Sequence, residues 1–289
     1  MAAEHELQVA GAPQSLAARA AAAAIADVHR IEAKYSRYTG DSVTTAINRA
    51  AGGEMVAIDD ETAALLRYAD QCWRISEGAF DVTSGVLRRA WRFHERPPRV
   101  PSQPEVEAVR ALVGWDRVEW SEHGVRLPVA GMEIDFGGIG KEYAADRAAG
   151  VLAAHGVAHA LVNLGGDVRA FGGQADGRPW RIGIAHPRMA KGVIGDLEIT
   201  DGAIATSGDY QRYFEVDGRR YAHILDARTG WPAACWQSAS VVAPVCTLAG
   251  SLATIAMLRR DAPSFLAAQG VQFLLVDEKG RRVGPAGLG

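Results

Sequence analysis

Four glycine-punctuated stretches concentrate the side chains able to do chemistry. In Ile134-Asp135-Phe136-Gly137-Gly138-Ile139-Gly140-Lys141-Glu142-Tyr143, glycines let backbone amides approach an anion at a helix N-terminus, and Lys141 adds a positive charge. That combination suits a phosphate, although the established fingerprints are not met. A Rossmann reading starting at Gly138 needs glycine at Tyr143, and a P-loop needs Ser or Thr at Glu142. A plain turn between strand and helix accounts for the stretch as well. Val162-Asn163-Leu164-Gly165-Gly166-Asp167 ends in two glycines and a carboxylate, where Asp167 and exposed amides could hold a ribose or a base; the alternative is a β-turn. Ala205-Thr206-Ser207-Gly208-Asp209-Tyr210 and Tyr221–Gly230 supply hydroxyls, His223 and the acids Asp209 and Asp226. A Ser207–His223–Asp226 triad can be drawn, but Ser207 lacks the G-x-S-x-G elbow. Asp226–Gly230 reads equally as a turn closed by a left-handed glycine.

Other candidates carry less. His155 and His159 have helical i, i+4 spacing, but Gly156 ends the helix between them, which argues against zinc. Gly40-Asp41-Ser42 reads as a helix N-cap by Asp41 or Ser42. Trp73, Trp91, Trp115 and Trp120 read as core.

These residues must be positioned by regular elements. Leu16–Ser36 has Ala20, Ala24, Val28, Ile31 and Tyr35 at three- and four-residue intervals and predicts an amphipathic helix; Thr62–Glu77 predicts a second. Around the first glycine-rich stretch the pattern predicts a strand at Gly131–Phe136, a turn at Gly137–Gly140, a helix at Lys141–His155 and a strand at Ala158–Leu164. Short alternating runs follow at Trp180–Ala185, Gln211–Val216 and Tyr221–Leu225, then a helix at Leu248–Arg259 and a closing pair, Val271–Val276 with Arg281–Gly284. The mixture indicates α+β rather than doubly wound α/β. Arg92–Pro104, rich in proline and charge, is expected to be a surface excursion within one domain covering residues 1–289.

Composition excludes several functions. Lys plus Arg total 31 against 34 for Asp plus Glu, so no excess positive charge is available to follow a nucleic-acid backbone. Cys72, Cys235 and Cys246 are widely separated and form no CxxC, which fits buried thiols in a reducing compartment, with the cytoplasm as the expected location. The N-terminus lacks the basic start of a signal peptide. The longest apolar candidate, Val241–Leu258, is interrupted by Pro244, Thr247, Gly250, Ser251 and Thr254, so no membrane span is expected.

Taken in order, the motifs resemble the ApbE family of FAD:protein FMN transferases from about Leu16 to Val276. They are Tyr35-Ser36-Arg37-Tyr38 with Ser42 and Asn48; Glu77-Gly78-Ala79-Phe80-Asp81-Val82-Thr83-Ser84-Gly85; the Asp135–Tyr143 turn; Asn163–Asp167; Thr206–Tyr210; and His223–Gly230 with Pro232. The resemblance implies one α+β domain of T-fold-like architecture with FAD in a cleft. It further implies that an acceptor flavoprotein's Ser or Thr hydroxyl attacks the FMN-side phosphorus and releases AMP. By the same resemblance, Lys141 with Thr206, Ser207 and Gly208 would hold phosphates and His223 would assist proton transfer. Asp81, Thr83, Asn163, Asp167 and Asp226 would shape the nucleotide pocket, and Tyr38 and Phe80 are candidate ring walls, with core packing as the alternative.

The resemblance also implies a Mg2+ site, and here the sequence departs. The family's late Ala-Asp-Ala-Leu-Ala-Thr motif reads Ala249-Gly250-Ser251-Leu252-Ala253-Thr254, so Thr254 and the Gly140 carbonyl remain while the carboxylate is replaced by Gly250. The turn, commonly Lys-Gly-Tyr, is Lys141-Glu142-Tyr143. Glu142 is therefore either a substitute metal ligand or a solvent-facing acid favoured by the helix dipole. FAD binding without transfer, and FAD pyrophosphatase chemistry, stand as alternatives.

Overall fold

A computed structural model describes residues 4–285. The chain forms two compact units, each assembled from separated segments.

The first unit comprises the residues up to Glu32, Ile139–Gly208 and those from Cys235 onward. Its centre is a seven-stranded sheet in the order His5–Ala10, His159–Leu164, Asp167–Phe171, Gly202–Gly208, Trp236–Ala243, Gln272–Asp277, Arg282–Val283. Every neighbouring pair is antiparallel, the α+β arrangement that the sequence pattern indicates. Period-two alternation gives the sheet two apolar faces. Leu161, Val168, Ala170, Ile204, Leu274 and Val276 pack on one side with Trp180, Ile184, Ile194, Leu197 and Ile199 of the hairpin Trp180–Ala185/Val193–Ile199. The other side is covered by the helices Gly140–Ala154 and Cys246–Met257. Helix Cys246–Met257 is small-residue rich and almost wholly buried, including Ala249, Gly250, Ala253 and Ala256, so its backbone lies close to its neighbours. The apolar run Val241–Leu258 thus divides into a strand end and a buried helix, and no helix of the described residues is long and apolar enough to cross a membrane.

The second unit contains Ala33–Gly138 and Asp209–Ala234. Ser42 caps the short helix Val43–Arg49, its side chain accepting from the Thr45 amide, and Asp59 caps Asp60–Ile75 through the Thr62 amide. A 3-10 helix follows at Val82–Arg89, then an α-helix at Gln103–Arg110 that closes the irregular, largely exposed Arg92–Ser102 stretch, whose Phe93 and Val100 pack inward. The core of this unit is aromatic: Trp91 meets Phe214, Tyr221 and Trp231 with ring centroids 6.2, 5.6 and 5.1 Å away. Phe214 and Tyr221 come from the hairpin Tyr213–Val216/Arg219–Ala222.

The strand expected at Gly131–Phe136 does not form. Ile134 is instead bracketed by one side chain, its amide donating to Asn48 Oδ1 at 2.7 Å and its carbonyl accepting from Asn48 Nδ2 at 3.0 Å, while the Asp135 amide donates to the Val82 carbonyl. A side chain therefore supplies the pairing that a neighbouring strand would have supplied, and the segment passes directly into a 3-10 turn at Phe136–Gly138.

Candidate functional site

In the first unit Lys141, Glu142, Asp167, Ser207 and Thr254 gather on the helix-covered side of the sheet, while the Thr206 hydroxyl lies on the other side. Lys141, in the first turn of helix Gly140–Ala154, forms an ion pair with Asp167 and lies 3.4 Å from Glu142. Asp167 is buried at the start of its strand, and its second oxygen accepts from the Thr206 amide at 3.0 Å. A cation is thereby tied to a strand end through one carboxylate. Asn163 holds the adjoining turn, its Oδ1 accepting from the Gly166 amide at 2.9 Å, with Gly165 and Gly166 at positive φ.

Thr206–Gly208 forms the end of a strand rather than a loop. Alternation sends its hydroxyls to opposite faces: Thr206 Oγ1 meets Ser240 Oγ across the sheet at 2.8 Å, and Ser207 Oγ meets Thr254 Oγ1 of the Cys246 helix at 2.9 Å.

Glu142 is not the solvent-facing acid that its place in a first helical turn permits. It is only 7% exposed, and its Oε2 is buried without a hydrogen-bond partner. The side chain lies against the bare backbone of Gly250, where a Cβ would overlap Glu142 Cγ and stand 3.0 Å from Cδ. Four residues along the same helix face, Asp146 accepts from the amides of Cys246 and Thr247 at 2.7 and 2.8 Å and from Thr247 Oγ1 at 2.6 Å. Asp146 therefore caps the neighbouring helix from outside it. No motif in the sequence announces Asp146; the one signal it carries is its i, i+4 relation to Glu142. Burial, reinforced by the Glu142 and Asp146 carboxylates, pushes the Cys246 thiol well above its usual range and keeps it protonated.

In the second unit Asp81 caps the 3-10 helix. Its Oδ1 accepts from Thr83 N and Oγ1 at 2.7 and 2.6 Å, and its Oδ2 accepts from Trp115 N at 2.9 Å. Thr83 Oγ1 in turn accepts from Gly114 N. Burial pushes the Asp81 carboxyl upward while these donors pull it back. Phe80 is buried and covers Gly138, where a Cβ would come within 3.1 Å of the ring. Tyr38 is the opposite case, 78% exposed, with the Arg37 guanidinium 4.9 Å from its ring centre. Arg37 also pairs with Asp135, whose Oδ1 accepts from Gly137 N; Gly85 leaves room for Asp135, since a Cβ there would stand 2.6 Å from the Asp135 Cβ.

His223 is half-buried, with Nδ1 3.2 Å from the Arg212 carbonyl. Burial first, and the Arg212 charge second, lower its pKa from the usual 6.5, opposed by that backbone contact, so the ring is neutral at neutral pH. Asp226 closes the Asp226–Gly230 turn: its carbonyl accepts from Gly230 N at 2.7 Å, Gly230 has φ +75°, and its carboxylate holds Arg228. Among the described residues no cluster of three or more His, Cys, Asp or Glu is arranged to hold a metal.

The ApbE family model matches residues 1–275. The chain belongs to the ApbE family. An FAD:protein FMN transferase of Vibrio cholerae is 34% identical over 208 residues, 71% of this chain and 62% of the relative. One of Chlamydia pneumoniae is 33% identical over 235 residues, covering 79% and 73%. The crystal structure of the ApbE protein of Thermotoga maritima superposes with a TM-score of 0.87 at 35% identity, covering 97% of this chain and 93% of that one. The chain thus spans about three-fifths of the Vibrio relative's length, and nearly the whole of the Thermotoga structure.

Proposed function

We propose that this ApbE-family chain transfers FMN from FAD to a Ser or Thr hydroxyl of an acceptor flavoprotein. The acceptor oxygen bonds to the FMN-side phosphorus, the bond from that phosphorus to the bridging oxygen breaks, AMP departs, and the hydroxyl proton passes to a base. The observation that carries this reading is the Lys141–Asp167–Thr206 chain of contacts, which fixes an ammonium in a first helical turn beside a strand end. Such a preset cation opposes pyrophosphate charge without having to be ordered when the substrate arrives. Names borne by the Vibrio and Chlamydia relatives support it.

Within this reading, Lys141 with the Thr206–Gly208 strand end handles phosphate. Asn163 and Asp167 shape the nucleotide side, and neutral His223 takes the proton. Tyr38 offers an exposed ring to stack on a ring system of FAD. Asp81, Thr83, Phe80 and Asp226 act one step removed, holding turns in shape, because their polar atoms and ring are engaged by the chain itself.

A family-implied Mg2+ would supply charge neutralisation at the pyrophosphate. The residues fit such an ion: the Gly140 carbonyl and the Thr254 hydroxyl are oxygen donors, and Glu142 holds a buried carboxylate oxygen with no partner. Mg2+ commonly uses one or two carboxylates together with substrate phosphates, so a carboxylate-rich cage is unnecessary.

The test is AMP release from FAD with and without Mg2+ and a flavinylatable acceptor domain. Release that requires both supports transfer. AMP with free FMN and no acceptor replaces it with pyrophosphatase chemistry. FAD binding with no AMP under any condition replaces it with a flavin carrier, a reading favoured by Gly250 at the expected Asp.

A further inference from the structure

We infer that Glu142 and Gly250 are one exchanged pair: the metal-ligating carboxylate has moved from the Cys246 helix to the Gly140 helix, and each residue now requires the other. The inference rests on the metal-assisted reading of this centre and adds a constraint that the family resemblance does not contain.

The way the helices pass is the first constraint. Asp146 bonds the first residues of helix Cys246–Met257, while Glu142, one turn earlier on its own helix, lies over Gly250, one turn later on the other. The two helices therefore run in opposite directions with their turns in step. Continued by one more turn, this register carries Thr254 past the Gly140 end of the first helix. Thr254 is also i+4 from Gly250 and shares its face.

Space is the second constraint. A Cβ at position 250 would overlap Glu142 Cγ, which is the middle of that side chain and not a free tip. An Asp at 250 and a Glu at 142 therefore exclude one another in this packing, and glycine at 250 is what admits Glu142. Charge is the third. Glu142 is buried with Lys141 3.4 Å from one oxygen and nothing bonded to the other, although a buried carboxylate oxygen without a donor or cation is costly. An oxygen-seeking divalent cation satisfies it where no donor of the chain does.

The test is Mn2+ binding to the full chain, followed by loss of the free-ion electron paramagnetic resonance signal, with and without FAD, alongside thermal melts. Wild type is expected to bind. Glu142→Gln, which keeps shape, should weaken binding by at least about tenfold, the lower range for disturbing even an outer partner of a metal site. Gly250→Asp alone should lower the melting temperature and not tighten binding, whereas the double variant Glu142→Gly with Gly250→Asp should return both toward wild type. Wild-type-like Mn2+ binding by Glu142→Gln overturns the inference, as does tighter binding by a normally stable Gly250→Asp or no binding by wild type. Mn2+ bound at Glu142 without AMP release leaves the exchange standing and removes only the transfer reading.

Discussion

Two buried acids, Asp81 and Glu142, sit at the starts of helices, and they are provided for in opposite ways. Asp81 has donors on both oxygens, all from its own unit: Thr83 N, Thr83 Oγ1 and Trp115 N. Glu142 has one oxygen near Lys141 and one with no hydrogen-bond partner. The difference separates frame from chemistry. A carboxylate with donors on both oxygens is satisfied within the chain, so its work is to fix a turn; one with a bare buried oxygen is tolerated only where something else completes it. Under the proposed function Lys141 and His223 go with the second kind. The ammonium has three hydrogens and is paired with carboxylates only, and the imidazole is neutral, with its Nδ1 on a backbone carbonyl and its other nitrogen available.

The largest effect is expected at His223. If the neutral ring takes the acceptor's proton, His223→Gln should lower kcat for AMP release by about 10²- to 10⁴-fold, the usual worth of a positioned base, with FAD affinity nearly unchanged. The wild-type acid limb of kcat/KM should fall below pH 6.5, because burial and Arg212 disfavour the protonated ring and a base is lost only once it is protonated. A limb above 6.5, or full activity in the Gln variant, would return His223 to the frame. Lys141→Met comes next. Removal of one preset charge-stabilising donor costs about 10²- to 10³-fold in kcat, and metal-dependent AMP release is the measure. An unchanged rate would mean that its pairing with Asp167 is structural alone.

Much of this was legible in the residues. The 3.6-residue spacing of Ala20, Ala24, Val28, Ile31 and Tyr35 places a helix within two residues of the observed Gln14–Tyr35, and Trp180–Ala185 alternates as the strand it is. The glycine-rich motifs fall where the polar groups gather. What remained hidden depended on partners distant in sequence. Gly131–Phe136 has a strand's pattern, but Asn48 occupies Ile134. Thr206–Gly208 is recognisable as a motif, but that it ends a strand paired with Trp236–Ala243 is something no local pattern announces. Asp146 looks like an ordinary helical acid until it caps another helix 100 residues later. Glu142 looks exposed because first turns usually favour acids at the surface; only the missing Cβ at Gly250 explains its burial.

On the frame side, Asp81→Ala should be the most damaging of these changes to stability. It leaves the buried amides of Thr83 and Trp115 without acceptors, at about 1–3 kcal/mol for each orphaned group, so a loss of about 3 kcal/mol is expected from urea unfolding with the slope unchanged. A loss below about 1 kcal/mol would show that Asp81 is not saturated as described and reopen it as a ligand group.

The smallest effect is the most discriminating. With divalent ions removed by chelation, Glu142→Gln should change unfolding free energy by less than about 1 kcal/mol in either direction. The variant loses one contact with Lys141, which keeps Asp167, and no longer buries a charge whose second oxygen lacks a donor. Its melting temperature should also lose the rise that added Mg2+ gives wild type, since a ligand stabilises only the state that binds it. A destabilisation as large as that of Asp81→Ala, present in chelator and indifferent to Mg2+, would place Glu142 in the frame and leave the two acids with the same job.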